Sequence, residues 1–382
     1  MPRAESREPR AEIRALTGIR GIAAVMVVFY HYFQDSEGFG PAHPFIVHSY
    51  IAVDLFFVLS GFVMALTYRR SFRGGFQTQS YFSFLGKRLG RVYPLYLVVT
   101  LVVAALLYAH AIDGAAPSFP MLICNILMIQ AWGLGDSIGG PTWSISTELA
   151  AYLLFPLLVS LVFTGSNRKL LLVIVAAAAA IAGLSALGAP ALHQVLAGVP
   201  SRSGPLDIFG TGTIYPLARC LAGFILGLSA FRLIDEPHVA KVLSRSHVAD
   251  VAGLVVVALW SIHGSDVLLE LAFLPLVMSL AAGRSWVGVF LASSLVFWLG
   301  EVSYSIYLVH RPIEALMRNP LIRVLNAHHV RHAFTLAGFA PLALVMVVSA
   351  LTFYGIEKPA RNLSRRLMGA RTIPITAEPA AP

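Results

Sequence analysis

Arg20-Gly-Ile-Ala-Ala-Val-Met-Val-Val-Phe-Tyr-His31 is an apolar run closed by an arginine at one end and a histidine at the other. As a helix, rising about 1.5 Å per residue with 3.6 residues per turn, it puts both side chains on one face, roughly 16 Å apart along the axis. With its apolar flanks the segment reaches the length that crosses a bilayer. Arg20 then lies near one membrane surface and His31 well inside.

The whole chain has this character. It is 57% hydrophobic and 12% charged over 382 residues, with a mean hydropathy of +0.74. That leaves too little polar surface to cover a soluble fold of this size. The apolar runs have helix-spanning length rather than the short alternation of a membrane β-barrel, and in lipid each segment must satisfy its own backbone. The expected fold is all-α, a polytopic transmembrane helical bundle. Apolar runs place about ten spans, at 16–34, 48–68, 91–111, 142–164, 169–188, 213–232, 249–264, 267–283, 288–310 and 333–355. The run 120–133 is short and is followed by Gly133, Gly135, Gly139, Gly140 and Pro141, so it reads as a re-entrant or interfacial element.

Charge sets the orientation. Basic residues collect in the N-terminal tail, 69–91, Arg168-Lys169, 232–247, Arg284 and the tail after Glu357. If 120–133 does not cross, all of these fall on one side, and lysine and arginine prefer the cytoplasmic side. Both termini are then expected in the cytoplasm, as for a bacterial inner-membrane protein. The exception is 311–332, an outer loop with four arginines. The net charge of +9 is accounted for by this distribution and implies no nucleic-acid partner. Arg3, Arg7, Arg10 and Arg14 precede the first span as in a signal peptide, but Phe29-Tyr-His-Tyr-Phe-Gln stands where small residues should precede a cut, so the span is read as retained. The organisation is a cytoplasmic tail over 1–15, one membrane domain over 16–361, and a largely disordered cytoplasmic tail over 362–382. Cys124 and Cys220 are read as packing residues.

Ionisable groups inside spans are costly in hydrocarbon and normally face a bundle interior or a cavity. Depth sorts them into two sets. Towards the outside lie His31, Asp54, Ser60 and Glu148, the last with Ser144 and Tyr152 one turn to either side. Ser303, Tyr307 and His310 share a face at i, i+4 and i+7. Towards the inside lie Arg20, Arg69-Arg70 and Lys87-Arg88-Leu-Gly-Arg91. Arg88 and Arg91 are one turn apart, so both guanidinium groups can grip one polyphosphate. The arrangement reads as an anionic donor held inside and a general base placed further out. Asp54 and Glu148 each need a partner. Orienting or charging His31 is one use, and pairing with Arg219 is another. Trp143, Tyr307 and His310 are assigned to the acceptor side as substrate-binding residues, although interfacial aromatics and a water-facing histidine have the same composition. His328, His329 and His332 have no carboxylate or cysteine beside them, and no metal is expected.

Six patterns in this order give the chain a resemblance to the membrane acyltransferase-3 family. They are Arg20 with His31, Val53-Asp-Leu-Phe-Phe-Val-Leu-Ser-Gly-Phe-Val-Met64, Lys87-Arg-Leu-Gly-Arg-Val-Tyr-Pro94, Thr142-Trp-Ser-Ile-Ser-Thr-Glu148, Leu299-Gly-Glu-Val-Ser-Tyr-Ser-Ile-Tyr-Leu-Val-His310 and Glu357-Lys-Pro359. The resemblance implies transfer of an acyl group, often acetyl, from an acyl-CoA donor to a cell-surface or exported carbohydrate. It implies His31 as the catalytic base, Arg20 with Arg88 and Arg91 on the CoA phosphates, and a role for Ser60 and Glu148 in the pocket. The expected partners are acyl-CoA, membrane lipid and a glycan or lipid-linked saccharide acceptor. Some relatives add a hydrolase-like domain after the membrane core, and none is expected from the residues after 361. In the expected reaction neutral His31 takes the proton of an acceptor hydroxyl, while Ser60, Trp143 or Tyr307 donates to the oxyanion. A covalent acyl-enzyme route stays open. The rival reading is a proton-coupled transporter of an acyl or glycolipid intermediate, with His31, Asp54 and Glu148 as a relay, but the chain lacks an evident inverted repeat.

Overall fold

The computed structural model describes residues 10–72, 75–188, 204–207, 212–283 and 285–369. Among these residues the structure is helical and contains no strand. Seven helical stretches are long and apolar enough to cross a membrane: Arg14–Phe33, Gly38–Phe72, Thr78–Tyr108, Trp143–Phe163, Asn167–Ala186, Tyr215–Ile234 and Ala333–Gly369. The pair Pro237–Leu243 and Ser246–Trp260, bent by 79°, adds an eighth if the two helices act as one span.

The helices used below are α1 (Arg10–Phe33), α2 (Ala52–Tyr68), α3 (Thr78–Tyr108), α4 (Phe119–Ile126), α5 (Trp143–Phe163), α6 (Asn167–Gly183) and α7 (Tyr215–Ile234). They continue with α8 (Pro237–Leu243), α9 (Ser246–Trp260), α10 (Asp266–Ala282), α11 (Trp286–Leu291), α12 (Ser294–Glu301), α13 (Ser303–Ile313), α14 (Asn319–Ala327), α15 (Ala333–Phe339), α16 (Leu342–Thr352) and α17 (Lys358–Gly369).

Each expected apolar run is helical, but two differ from the expectation in form. The run 288–310 is not one rod, since α11, α12 and α13 divide it. Packing explains part of the break: α12 ends where Gly300 meets α1, so closely that a Cβ there would lie 2.0 Å from the Thr17 carbonyl oxygen. The third span starts at Thr78 rather than near 91, which sets Lys87, Arg88 and Arg91 inside a helix instead of at its mouth.

The doubtful run 120–133 contributes only α4 and turns. Eight residues rise about 12 Å, too little to cross a core of about 30 Å. Asn125 ties the chain back on itself. Its Nδ2 donates to the carbonyls of Met121 and Asp136, each at 2.9 Å, and its Oδ1 accepts from the Ile138 amide at 3.0 Å.

Ion pairs mark the two ends of the bundle. Beyond the C-terminus of α1, Arg311 and Arg318 both pair with Glu314 (2.5 and 3.2 Å), Arg318 Nε donates to the Tyr32 carbonyl at 2.9 Å, and Arg323 pairs with Asp113 at 2.6 Å. Three of the four arginines of the 311–332 segment are thus matched by carboxylates, which removes much of its excess positive charge. Burial pushes the Glu314 carboxyl above its ordinary range, against the pull of Arg311 and Arg318. At the opposite end Arg69 pairs with Asp235 at 2.8 Å, and Arg232 donates to the carbonyls of Val162 and Gly165.

The core sits between these ends, and α2 against α7 is its closest packing. The two backbones touch at Gly61 and Gly227. A Cβ on Gly61 would lie 2.1 Å from the Phe224 carbonyl oxygen, and one on Gly227 would lie 2.0 Å from that of Val58. Small residues at helix crossings are what lets spans associate in lipid, where apolar side chains gain little by leaving hydrocarbon.

Candidate active site

Four of the long helices and the segment α13 surround one cleft of about 800 Å³, its open mouth included. α1 supplies Arg20, α2 supplies Ser60, and α3 supplies Arg88 and Arg91. Ser144, Glu148 and Tyr152 come from α5, and Ser303, Tyr304 and Tyr307 from α13. The helical periods explain the convergence: residues 144, 148 and 152 recur every four positions on one face of α5, and 303 and 307 do so on α13. The remaining walls are apolar, including Val53, Phe56, Phe57, Met64 and Val92.

The cationic part of the cleft is open to a ligand. No carboxylate among the described residues lies within ion-pair distance of Arg20, Arg88 or Arg91. Arg88 is buried between aromatic faces, its guanidinium 5.1 Å from the Tyr68 ring centre and 6.0 Å from that of Tyr152, and its Nε has no hydrogen-bond partner among the described residues. Three guanidinium groups lining one cleft can take an anion carrying several phosphates.

The polar part is hydrogen-bonded internally. Ser60 donates from its hydroxyl to Glu148 Oε1, which joins α2 to α5. The hydroxyls of Tyr307 and Ser144 are 2.7 Å apart, and Tyr307 also donates to the Pro141 carbonyl at 3.0 Å. Tyr304 donates to the Val92 carbonyl at 2.6 Å and so ties α13 to α3.

His31 and Arg20 part company. Arg20 lines the cleft, whereas His31 is not among its lining residues. The His31 ring stacks on His310, with centroids 5.2 Å apart and planes 29° apart. His310 is fully buried, its Nδ1 faces the Ile306 carbonyl at 3.2 Å, and its Nε2 has no hydrogen-bond partner among the described residues. Its ring centre is 6.0 Å from that of Tyr307, which does line the cleft. The two histidines therefore lie beyond the tyrosine, towards the end of α1.

Asp54 is used by the fold. It accepts from Arg219 Nε at 2.6 Å and from Nη2, with both residues buried, so of the two uses open to it the structure displays the pairing with Arg219. Trp143 packs on that pair and on Phe57, with the Arg219 guanidinium 5.5 Å from its ring centre, and it is absent from the cleft lining. Sequence reasoning passed over a neighbouring network. Asp266 accepts from Tyr50 at 2.5 Å and from the Leu206 amide at 2.8 Å, and faces His48 Nε2 at 3.0 Å. Glu270, one turn further along α10, is fully buried, and neither carboxylate oxygen is hydrogen-bonded to any of the described residues. The available signal was two acidic residues at and just inside an apolar span.

Residues 13–355 match a family described as an acyltransferase domain. Acyltransferase MdmB of Streptomyces mycarofaciens is 28% identical, over 96% of both chains. The peptidoglycan O-acetyltransferase OatA of Listeria monocytogenes is 24% identical over 94% of this chain, and the putative peptidoglycan O-acetyltransferase YrhL of Bacillus subtilis is also 24% identical over 94%. The chain spans only 57% and 56% of those two relatives. No solved structure matches it. The helical bundle and cationic cleft of the described residues, with a family match over residues 13–355, identify the chain as a member of the acyltransferase-3 family, a membrane acyltransferase.

Proposed function

We propose that the protein moves an acyl group, acetyl in the simplest case, from cytoplasmic acyl-CoA to a hydroxyl of a surface or exported glycan on the outer side of the bacterial inner membrane. The observation that carries this reading is the cleft itself. Three arginines without ion-pair partners among the described residues line it together with an acid, three tyrosines and several hydroxyls, a setting that suits a polyphosphate donor threaded into a protein interior. Relatives named O-acetyltransferases support acetyl as the group, and peptidoglycan in two of those names supports a glycan acceptor.

In this reading Arg20, Arg88 and Arg91 hold the CoA phosphates, and the thioester extends along the cleft past Ser60 and Glu148. Neutral His31, stacked on His310, takes the proton of the acceptor hydroxyl as its oxygen attacks the thioester carbon. Ser60 and Tyr307 both line the cleft and are the donors for the oxyanion, each on turning its single hydroxyl proton away from its resting acceptor, Glu148 for Ser60 and the Pro141 carbonyl for Tyr307. Collapse breaks the carbon–sulfur bond, and the proton passes from His31 to the thiolate. Trp143 acts behind the acceptor side through Arg219 rather than at the cleft wall.

The test is purified protein in nanodiscs with radiolabelled acetyl-CoA and peptidoglycan fragments or other exported glycans. Label is expected on the glycan, and His31→Ala is expected to lower kcat by roughly 10²- to 10⁴-fold with donor KM little changed. Full turnover by His31→Ala would remove the base assignment. Acetyl-CoA left unconsumed by the wild type while labelled intermediate crosses a sealed bilayer would replace the transferase reading with transport.

A further inference from the structure

The last helices carry a second feature that acyl transfer does not use. α16 turns Leu344, Val347 and Leu351 outward as an apolar stripe. The stripe ends at Tyr354, whose hydroxyl accepts from Trp298 Nε1 at 3.3 Å. An exposed tyrosine joined to a tryptophan at the end of an apolar stripe marks the depth at which hydrocarbon gives way to headgroups. The chain then passes through one π-helical turn, Phe353–Glu357, and continues as α17.

α17 has three strips. One is seated on α3: Ser364 and Met368 lie against Gly90 and Gly86, where a Cβ would come within 2.2 and 2.8 Å of them. A second strip, Leu363 and Leu367, is open, at 58% and 57% exposure. Between them runs a row at four-residue spacing, Tyr354, Lys358, Asn362 and Arg366, which lines a surface concavity together with Pro359 and Leu363. The Lys358 ammonium lies 5.2 Å from the Tyr354 ring centre, and neither Lys358 nor Arg366 has an ion-pair partner among the described residues.

Basic residues at the end of a span need no ligand to explain them. A concave row of two cations, an amide and a tyrosine, placed beside two exposed leucines at headgroup depth, is more specific. Its polar side matches a phosphate and its apolar side matches acyl chains. We propose that this concavity is a binding site for an acidic phospholipid of the surrounding bilayer, with the headgroup along Lys358, Asn362 and Arg366 and the chains against Leu363 and Leu351. The site is separate from the cleft and does not depend on the acyl-transfer reading.

The experiment uses the full chain in nanodiscs of phosphatidylcholine doped with phosphatidylglycerol, with retained lipid counted by native mass spectrometry. The wild type is expected to retain phosphatidylglycerol in preference to phosphatidylcholine, and K358Q/R366Q to lose that preference by about tenfold or more. Arg323→Gln, at the other end of the bundle, is expected to leave it unchanged. L363S/L367S is expected to weaken retention while leaving the thermal midpoint in place, because both leucines are exposed. Equal retention of the two lipids by the wild type, or undiminished phosphatidylglycerol on K358Q/R366Q, would overturn the site. Full displacement by millimolar glycerol phosphate, with L363S/L367S behaving as wild type, would make it a site for soluble phosphate and equally overturn the proposal.

Discussion

Asp54–Arg219 and the Arg20, Arg88, Arg91 cluster are ionic groups in one helical bundle that the fold treats in opposite ways. In the first, a carboxylate and a guanidinium are both buried and joined by two hydrogen bonds. The helices that carry them, α2 and α7, are in backbone contact at Gly61 and Gly227. In the second, three cations line a cleft with no carboxylate among the described residues in ion-pair range. A buried charge is tolerated only with a partner or with access to a polar medium. The closed pair has met its requirement inside the fold, so it is available for stability. The open cluster has not, so it is available for a ligand. Residue type alone does not distinguish the two, and the state of the partner does.

The largest expected effect comes from breaking the closed pair. Asp54→Asn or Arg219→Gln leaves one buried group without its partner, and such a loss costs about 3–5 kcal/mol. The detergent-solubilised variants should melt well below the wild type, and folded yield should fall. An Asp54→Asn protein that melts like the wild type but turns over slowly would reverse the comparison and make Asp54 a partner in catalysis.

Next comes the open cluster, where the prediction has the opposite shape. Arg88→Gln or Arg91→Gln removes charge-assisted hydrogen bonds of about 1.5–3 kcal/mol to a bound donor and none within the fold. The KM for acetyl-CoA should rise roughly ten- to a hundredfold, with kcat and melting temperature close to wild type. An unchanged KM in both variants would show that the donor phosphates bind elsewhere. Arg20→Gln should behave in the same way, because Arg20 lies on the cleft and His31 does not.

Periodicity made one side of this comparison legible. Arg88 with Arg91, and Glu148 with Ser144 and Tyr152, share a helix face because of spacing that any helix enforces, and the structure brings all five to one cleft. Ten apolar runs likewise became helices, because in lipid an apolar run has few other ways to satisfy its backbone. What could not be read depends on contacts between distant segments. Asp54 and Arg219 are 165 positions apart, and nothing local to either chooses between a histidine and an arginine as its partner. Glycine at 300 is a local stop signal, but Gly288 in the same run lies inside α11, so glycine alone does not place the break, and the surface of α1 that Gly300 meets does. His31 lies off the cleft and against His310, a contact that depends on α13 and is not local to α1.

A third ionic group separates the two variables in this comparison, partner and solvent. Arg323–Asp113 has a full partner at 2.6 Å, like the closed pair, but both side chains are largely exposed. Such a pair in water contributes roughly 0.2–1 kcal/mol, because solvent screens it and two long side chains lose freedom in making it. A double-mutant cycle with Arg323→Gln and Asp113→Asn should therefore give a coupling below about 1 kcal/mol, falling further as salt is raised. That result, set beside a severe loss from Asp54→Asn, would assign the difference to burial, since both groups are paired. A salt-insensitive coupling above about 2 kcal/mol would mean that this end of the bundle is shielded from water as the core is. The matching of Arg311, Arg318 and Arg323 by Glu314 and Asp113 would then be a structural clamp on the 311–332 segment rather than a neutralised surface.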